Sequence, residues 1–324
     1  MPAGCNGKDA MAKIKALLTD PDSTARLVLK EIEPPEPLPN QALVRVEAIS
    51  LNRGEVVRAL GADKPYVPGW DLAGTVEQAA ADGSGPKTGA RVVGLLRTGA
   101  WAERVAVPSG NLAELPAGVD VETASTLPVA GLTALAAVDK AGALLARKVL
   151  VTGASGGVGD FAVQLARLSG AEVVGAVRQP DHAAFVRRLG AVEVVAGEDL
   201  AQAAQFGPYH FIADAVGSKI LVQALAMLAP RGIAVTYAGA TAMTPADIPG
   251  LRASPGASLY FLFIFQERMA DPAGPGLSRL ASLISQGQLH PSIEVRAAWT
   301  DAAEVALRLK ERRFCGKAVL TLNK

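Results

Sequence analysis

The hydrophobic and polar positions of this chain follow different patterns before and after residue 120. In the first part, apolar and polar side chains alternate over Gln41–Leu51, which is typical of a strand in an antiparallel sheet or barrel. Shorter strand-like segments lie at 11–19, 26–32, 72–78, 91–95 and 102–107. A short helix is predicted over 55–60, so the pattern predicts a β-rich domain.

After residue 120, short apolar runs alternate with amphipathic stretches. Helices are predicted over 121–144, 161–168, 182–189 and 218–228, and strands over 149–152, 172–177, 193–195, 210–214, 233–237 and 258–263. Six strands with intervening helices predict an α/β fold built on a doubly wound parallel sheet of the Rossmann type. Two helix-like stretches and a final strand at 317–322 follow.

The segment 148–159, with the sequence KVLVTGASGGVG, joins the first of these strands to its helix. Its spacing matches a dinucleotide fingerprint with alanine in the first position. Small residues allow backbone N–H groups to approach a pyrophosphate, which the positive end of the helix dipole also favours. A tight turn without a ligand is the alternative, but the order strand, turn, helix, strand favours nucleotide binding. The predicted cofactor-binding residues here are Ala154, Ser155, Gly156, Gly157, Val158 and Gly159.

The choice of cofactor is expected at the end of the second strand of this sheet. An acidic residue there usually binds the ribose hydroxyls of NAD, whereas a cation favours the 2′-phosphate of NADP. The strand ends at Arg178, and no carboxylate follows before Asp181. We therefore predict that Arg178 contacts the 2′-phosphate and that the cofactor is NADPH. A solvated surface arginine is the alternative.

Composition excludes several other classes. The 324 residues are 50% hydrophobic and 19% charged, and the net charge of +1 disfavours a nucleic acid or membrane partner recruited by bulk charge. The two cysteines give no disulfide framework. No apolar run reaches the ~18 residues of a membrane span, and there is no secretory signal pattern, so we expect a cytoplasmic protein. Residues 1–10 are small and polar and are expected to be disordered.

Several spaced motifs together resemble one family. They are SLNRGEVV (50–57), VPGWDLAGTV (67–76), GARVVGL (89–95), GAWAERVAVP (99–108), LPVAGLTAL (127–135), the glycine turn, DAVG (214–217) and GKAVLTL (316–322). From residue 11 onward the chain resembles the medium-chain dehydrogenase/reductase superfamily, in its zinc-independent quinone oxidoreductase-like branch. The resemblance implies a GroES-like catalytic domain over 11–120, completed by 286–324, and a Rossmann NADP-binding domain over 121–285.

The resemblance also implies roles for individual residues. It puts Asn52 beside the nicotinamide and the substrate, followed by Arg53 and Glu55, which are either catalytic or a charge pair at a helix start. Tyr66 is either a candidate proton donor or a packed loop residue. The other cofactor-binding residues that the resemblance implies are Thr133, Asp214, Val216, Gly217, Ala238 and Gly239.

One departure from the zinc-dependent relatives bears on the chemistry. Where those enzymes have Gly-His-Glu, this chain has Gly69-Trp70-Asp71, and tryptophan cannot ligate zinc. The cysteine-rich lobe of those relatives is missing, and the three histidines fall in unrelated segments. We therefore predict that the protein has no metal site.

Aromatic residues are expected to shape the substrate pocket. Trp70, Trp101, Tyr260 and Phe263 are predicted to form a wall that suits a flat, conjugated substrate. The most apolar segment, SLYFLFIF at 258–265, contains the sixth strand of the predicted sheet. The resemblance implies that this strand pairs with its twin across a two-fold axis, and an apolar edge strand needs cover, so we expect a homodimer, with a buried strand end lining the pocket as the alternative.

Without a metal to polarise a simple ketone, a hydride donor and a proton source must complete the reaction. We predict NADPH-dependent reduction of a quinone or a small α,β-unsaturated carbonyl, with a donor such as Asn52 at the reacting oxygen. A carbonyl reductase or pathway-specific biosynthetic enzyme of the same fold is one alternative, and an NADPH-binding protein without catalysis is another.

Overall fold

The computed structural model describes residues 12–238 and 249–322, which form two domains. The first is β-rich, and it also contains the end of the chain. Its strands are β1 (Ile14–Thr19), β2 (Leu27–Ile32), β3 (Gln41–Leu51), β4 (Asp71–Gln78), β5 (Arg91–Leu95), β6 (Arg104–Pro108), β7 (Leu112–Glu114), β14 (Ile293–Ala298) and β15 (Lys317–Thr321). Its helices are α1 (Arg53–Leu60) and α10 (Ala302–Lys310).

The long strand β3 is the centre of this domain. The sheet has the order β14-β15-β3-β4-β5-β7, with β6 also paired to β3, and β1 and β2 form a separate hairpin. The alternating side chains of β3 reach a core that contains the fully buried Trp101. Because β15 pairs antiparallel with β3, the end of the chain lies beside the residues that follow β3.

The second domain contains a six-stranded parallel sheet with the order β10-β9-β8-β11-β12-β13, which confirms the predicted doubly wound fold. Its strands are β8 (Lys148–Thr152), β9 (Glu172–Val177), β10 (Glu193–Ala196), β11 (Tyr209–Asp214), β12 (Leu228–Thr236) and β13 (Ser258–Phe261). Its helices are α2 (Val121–Ser125), α3 (Leu132–Ala141), α4 (Gly157–Leu168), α5 (Ala183–Arg188), α6 (Ser218–Leu225), α7 (Pro249–Ala253), α8 (Ile264–Ala270) and α9 (Ala273–Ser285).

The predicted helix over 121–144 is interrupted. A π-helical turn, Leu127–Gly131, separates α2 from α3, and it begins beside Pro128. Proline lacks an N–H and disfavours a regular α-helix at this point. The turn faces the other domain, since the Val129 N–H donates to the side chain of Asp71.

The end of the helix predicted over 218–228 also differs from the structure. The helix α6 ends at Leu225, and Leu228 is the first residue of β12. The predicted disordered segment 1–10 and the predicted cofactor contact Gly239 lie outside the described residues. Within the described ranges, no helix is both long and apolar enough to cross a membrane.

The two domains meet directly at the glycine turn. Gly156 and Gly316 form a parallel bridge, and the Gly316 N–H donates to the Ser155 carbonyl oxygen at 2.9 Å. Behind the turn, the buried Asp160 of α4 accepts a bond from the Ser292 N–H at 2.8 Å. The strand that returns to the β-rich domain is therefore fixed to the helix that follows the turn.

Candidate active site

A cavity of about 710 Å³ lies between the two domains at the carboxyl ends of the parallel strands. This is where ligands bind in open α/β sheets, and the volume suits a small-molecule or cofactor site. The sequence-predicted residues in its lining are Asn52, Arg53, Trp70, Thr133, Ser155, Gly156, Gly157, Val158, Gly159, Arg178, Val216, Gly217, Ala238 and Phe263.

The glycine turn is shaped by close backbone contacts. A Cβ at Gly159 would lie 2.4 Å from the Gly153 carbonyl oxygen, so only glycine fits there. A Cβ at Gly156 would lie 3.4 Å from the same oxygen, which is ordinary contact. Gly159 is therefore required for packing of α4 on β8, whereas Gly156 keeps the cavity side of the turn open.

Asp214 has a structural role in this arrangement. It is fully buried, and its carboxylate accepts bonds from Thr152 Oγ1 at 2.6 Å and Thr236 Oγ1 at 2.8 Å. The backbone N–H groups of Val216 and Gly217 also donate to it. The carboxylate joins the ends of β8, β11 and β12, so it is not available to the ribose contact that the resemblance implied.

Three arginines converge at one end of the cavity. Arg178 follows β9, Arg53 begins α1, and Arg312 follows α10 in a left-handed conformation with φ 59°. Burial lowers the pKa of Arg312, and the charges of Arg53 and Arg178 lower it further. Among residues 12–238 and 249–322, none of the three has a carboxylate within ion-pair distance. Such a cluster favours a phosphate.

His182 lies beside this cluster. Its Nδ1 is 3.1 Å from Ser155 Oγ, which joins the segment after β9 to the glycine turn. Both residues line the cavity. Sequence analysis gave His182 no function, because its position on a helix start carried no motif.

A buried polar cluster reaches the cavity through Asn52 and Lys317. Asn52 is its centre: the Nδ2 group donates to Glu55 Oε1 at 3.0 Å and to Asp71 Oδ2 at 2.7 Å. Its Oδ1 accepts from Lys317 Nζ at 2.6 Å. Ser50 Oγ donates to Asp71 Oδ2 at 2.6 Å. Because both Nδ2 hydrogens are engaged, Asn52 is not free to act as the donor that sequence analysis expected.

Burial governs the protonation of this cluster. It raises the pKa of Glu55 well above the usual range, and the nearby charge of Asp71 raises it further. Burial also raises the pKa of Asp71. It lowers the pKa of Lys317, and the nearby carboxyl groups of Asp71 and Glu55 oppose that shift because they favour the charged ammonium. Asp71 Oδ2 lies 3.5 Å from Lys317 Nζ, and this buried ion pair partly offsets the cost of removing both groups from water.

Aromatic side chains also line the cavity, but they are not all the predicted ones. Trp70 and Phe263 line it together with Phe265, whose ring centroid is 5.0 Å from that of Trp70. Trp101 lies in the core of the β-rich domain against Gly69. Tyr260 contacts Glu267 through its hydroxyl and Lys140 through its ring. The predicted wall is therefore corrected to Trp70, Phe263 and Phe265.

The two tyrosines near the site differ in position. Tyr66 is outside the cavity lining, and the Arg58 guanidinium lies 5.6 Å from its ring centroid. Tyr237, which was not predicted, lines the cavity at the end of β12. Its hydroxyl is buried without a partner among the described residues, and burial raises its pKa.

The donor set for a metal ion is sparse in this protein. Within residues 12–238 and 249–322, no three His, Cys, Asp or Glu side chains are grouped so that they could hold an ion. Trp70 packs against Gly54, whose Cβ position would be 3.0 Å from the indole ring.

Comparison with known proteins agrees with this architecture. Residues 38–117 match the alcohol dehydrogenase GroES-like domain, and residues 157–263 match the zinc-binding dehydrogenase family model. The chain is 27% identical to a Bos taurus quinone oxidoreductase-like protein 2, over 99% of this chain and 94% of that protein. It is 28% identical to a Pseudomonas aeruginosa quinone oxidoreductase, over 91% and 95%.

A solved structure shows the same fold. The quinone oxidoreductase from Thermus thermophilus, described also in complex with NADPH, superposes with a TM-score of 0.78 at 28% identity, over 95% of this chain and all of that one. The fold and the site define an α/β protein with a GroES-like domain. The chain belongs to the medium-chain dehydrogenase/reductase superfamily and is quinone oxidoreductase-like.

Proposed function

We propose that the protein is an NADPH-dependent oxidoreductase that reduces a quinone or an α,β-unsaturated carbonyl without zinc. The observation that carries the proposal is the lining of the cavity, which combines a glycine turn, a cluster of arginines and an aromatic wall. The relatives named quinone oxidoreductase support the same class of reaction.

The residues at the phosphate end fit NADPH. The glycine turn offers backbone N–H groups to the pyrophosphate, and Arg178 with Arg312 suits the 2′-phosphate by charge and by guanidinium geometry. Arg312 belongs to the β-rich domain, so both domains would hold the same cofactor. When bound, NADPH supplies a hydride.

The aromatic residues of the lining fit a flat, conjugated acceptor. Trp70, Phe263 and Phe265 give it an apolar contact surface. Negative charge develops on the acceptor oxygen as the hydride arrives. Thr133 and Tyr237 line the cavity, and the Thr133 hydroxyl is the candidate to stabilise that oxygen, since the Tyr237 hydroxyl is buried.

A screen of acceptors tests the proposal directly. Purified protein is mixed with NADPH and a set of enones, quinones and saturated aldehydes, and the loss of NADPH absorbance is followed. Turnover of an enone with deuterium from labelled NADPH on the β-carbon is the expected result. Label on the carbinol carbon of a saturated aldehyde would make the protein a carbonyl reductase, and tight NADPH binding without turnover would make it a binding protein.

The proposed independence from zinc rests on the residues where a ligand set would be. Trp70 occupies the ligand position of the zinc-dependent relatives, and Asp71 is bonded to Ser50, Asn52 and Val129. We expect elemental analysis of the active protein to find far less than one zinc per chain. Stoichiometric zinc that is removed by a chelator together with activity would contradict this.

We also propose a homodimer formed through β13. This strand is at the edge of the parallel sheet, with one described strand neighbour, and Phe261 is 60% exposed. Leu262 is buried, so Phe261→Lys is the suitable variant. We expect it to convert a dimer to a monomer in light scattering, whereas Leu307→Lys, at an exposed leucine on α10, leaves the mass unchanged. A dimer in both variants would place the contact elsewhere.

A further inference from the structure

Lys317 lies at the junction of the two domains. It is the first residue of β15, and its stem crosses the glycine turn, since a Cβ at Gly157 would lie 2.8 Å from Lys317 Cδ. Only 2% of the residue is exposed, although it belongs to the cavity lining. The proposed function assigns it no part.

The ammonium group of Lys317 is held by three oxygens. It donates to the Leu51 carbonyl oxygen at 3.0 Å and to Asn52 Oδ1 at 2.6 Å, and it is 3.5 Å from Asp71 Oδ2. Removing a charge from water is costly unless it is paired and hydrogen-bonded. These contacts give the ammonium three oxygen neighbours, which compensate its burial beside Asn52.

This charge fixes the orientation of the Asn52 amide. The oxygen faces the ammonium, and the Nδ2 group faces the carboxyl groups of Glu55 and Asp71. A flipped amide would put the Nδ2 hydrogens against the ammonium and the oxygen against two acidic groups. The remaining hydrogen-bonding capacity of the side chain is one lone pair on Oδ1.

We propose that Lys317 is a positioning residue that acts through Asn52, and that it presents Asn52 Oδ1 to the cavity as an acceptor for the carboxamide N–H of the nicotinamide. The proposal deepens the proposed function and rests on it, because it concerns how the same cavity holds the nicotinamide ring of the cofactor. The side chain of Lys317 passes over the glycine turn, so Lys317 links the position of that turn to the orientation of the nicotinamide ring.

A double-mutant cycle tests this role. The variants are Asn52→Ala, Lys317→Met and the double variant, with Lys15→Met as a control at an exposed lysine on β1. We measure the single-turnover rate of hydride transfer with an acceptor, the dissociation constant of NADPH, and the emission of bound NADPH. Removing a positioned hydrogen bond should slow hydride transfer by about 10- to 100-fold in each single variant.

The expected signature is non-additivity. The double variant is no slower than the slower single variant, the affinity for NADPH changes by less than about threefold, and both single variants alter the emission of bound NADPH in the same direction. The control matches the wild type. Additive losses, a wild-type rate in Lys317→Met, or a loss of affinity that accounts for the whole change in rate would overturn the proposal.

Two additions keep the test decisive. If Lys317→Met does not fold, Asp71→Asn/Lys317→Met removes the ion pair without leaving a buried charge, and it should give the same rate and emission as Asn52→Ala. If the wild type reduces none of the acceptors, the proposed function fails, and the emission cycle alone decides the inference. Independent changes of emission in the two single variants would then reject it.

Discussion

The nucleotide-domain wall of the cavity comes from turns that directly follow strands, whereas the wall of the β-rich domain is gathered from distant parts of the chain. The first wall is centred on 153–159 and Arg178, which a few residues of local sequence define. The second joins Asn52, Asp71 and Lys317, and the bond between Asn52 and Lys317 spans 265 positions. The first wall therefore offers backbone groups and the second offers buried side-chain charges.

This difference has a physical consequence for variants. An added side-chain atom in a tight turn destabilises the fold, because the neighbouring backbone cannot move aside. Removing one partner of a buried ion pair also destabilises the fold, because the remaining charge is left without compensation. Each prediction below tests one wall against the other.

The largest effect is expected at Gly159. Gly159→Ala puts a Cβ against backbone at 2.4 Å, so we expect the free energy of unfolding to fall by about 3 kcal/mol. Gly156→Ala has room in the protein but faces the cavity, so it should keep its stability and bind NADPH about tenfold more weakly, about 1.4 kcal/mol. Urea denaturation and NADPH titration measure the two quantities. Equal stability of both variants would contradict the role of Gly159 in packing.

The arginines test whether both walls bind the same phosphate. Arg178→Ala and Arg312→Ala should each raise the KM for NADPH by one to two decades, about 1.4 to 2.7 kcal/mol, and leave that for NADH nearly unchanged. Arg187→Ala, at an exposed arginine on α5, is the control. An effect of Arg178→Ala alone would restrict phosphate binding to the nucleotide domain, and equal losses with both cofactors would reject the assignment.

Glu55 tests the charge state of the second wall. Glu55→Ala removes the acceptor of the Asn52 N–H at 2.7 Å and of Asn52 Nδ2, so we expect a loss of about 2 kcal/mol in stability. Glu55→Gln keeps an acceptor oxygen and resembles a neutral acid, so it should lose less than about 1 kcal/mol at neutral pH. Calorimetric melting compares the variants. A loss in Glu55→Gln as large as that in Glu55→Ala would show that the carboxyl group is ionised.

The smallest effect is expected behind the first wall, at Asp160. Burial raises its pKa from 3.8 to about 6. The folded state therefore binds more protons than the unfolded state between these two values, and stability is lost as the pH rises through that window. Relative to Asp160→Asn, the wild type should lose about 1 to 2 kcal/mol between about pH 4 and pH 7. Urea denaturation at both pH values measures this, and a constant difference between the two proteins would contradict it.

The sequence by itself determined the parallel sheet, the glycine turn and the position of Arg178 after β9. Each of these depends on residues that are close together in the chain, so their periodicity and spacing describe the structure directly. Completion of the β-rich domain by 286–324 was implied only by resemblance, and the pairing of β15 with β3 was not predicted, because strand patterns do not state which strand is the neighbour.

The tertiary structure decided which side chains share the cavity. Trp101 was predicted for the aromatic wall and lies in the core, because a buried position in a core and one in a pocket wall have the same sequence pattern. Arg312 and Lys317 join the site because the end of the chain folds back onto β3 and the glycine turn. The raised pKa of Glu55 follows from burial and from the charge of Asp71, which only the folded arrangement brings together.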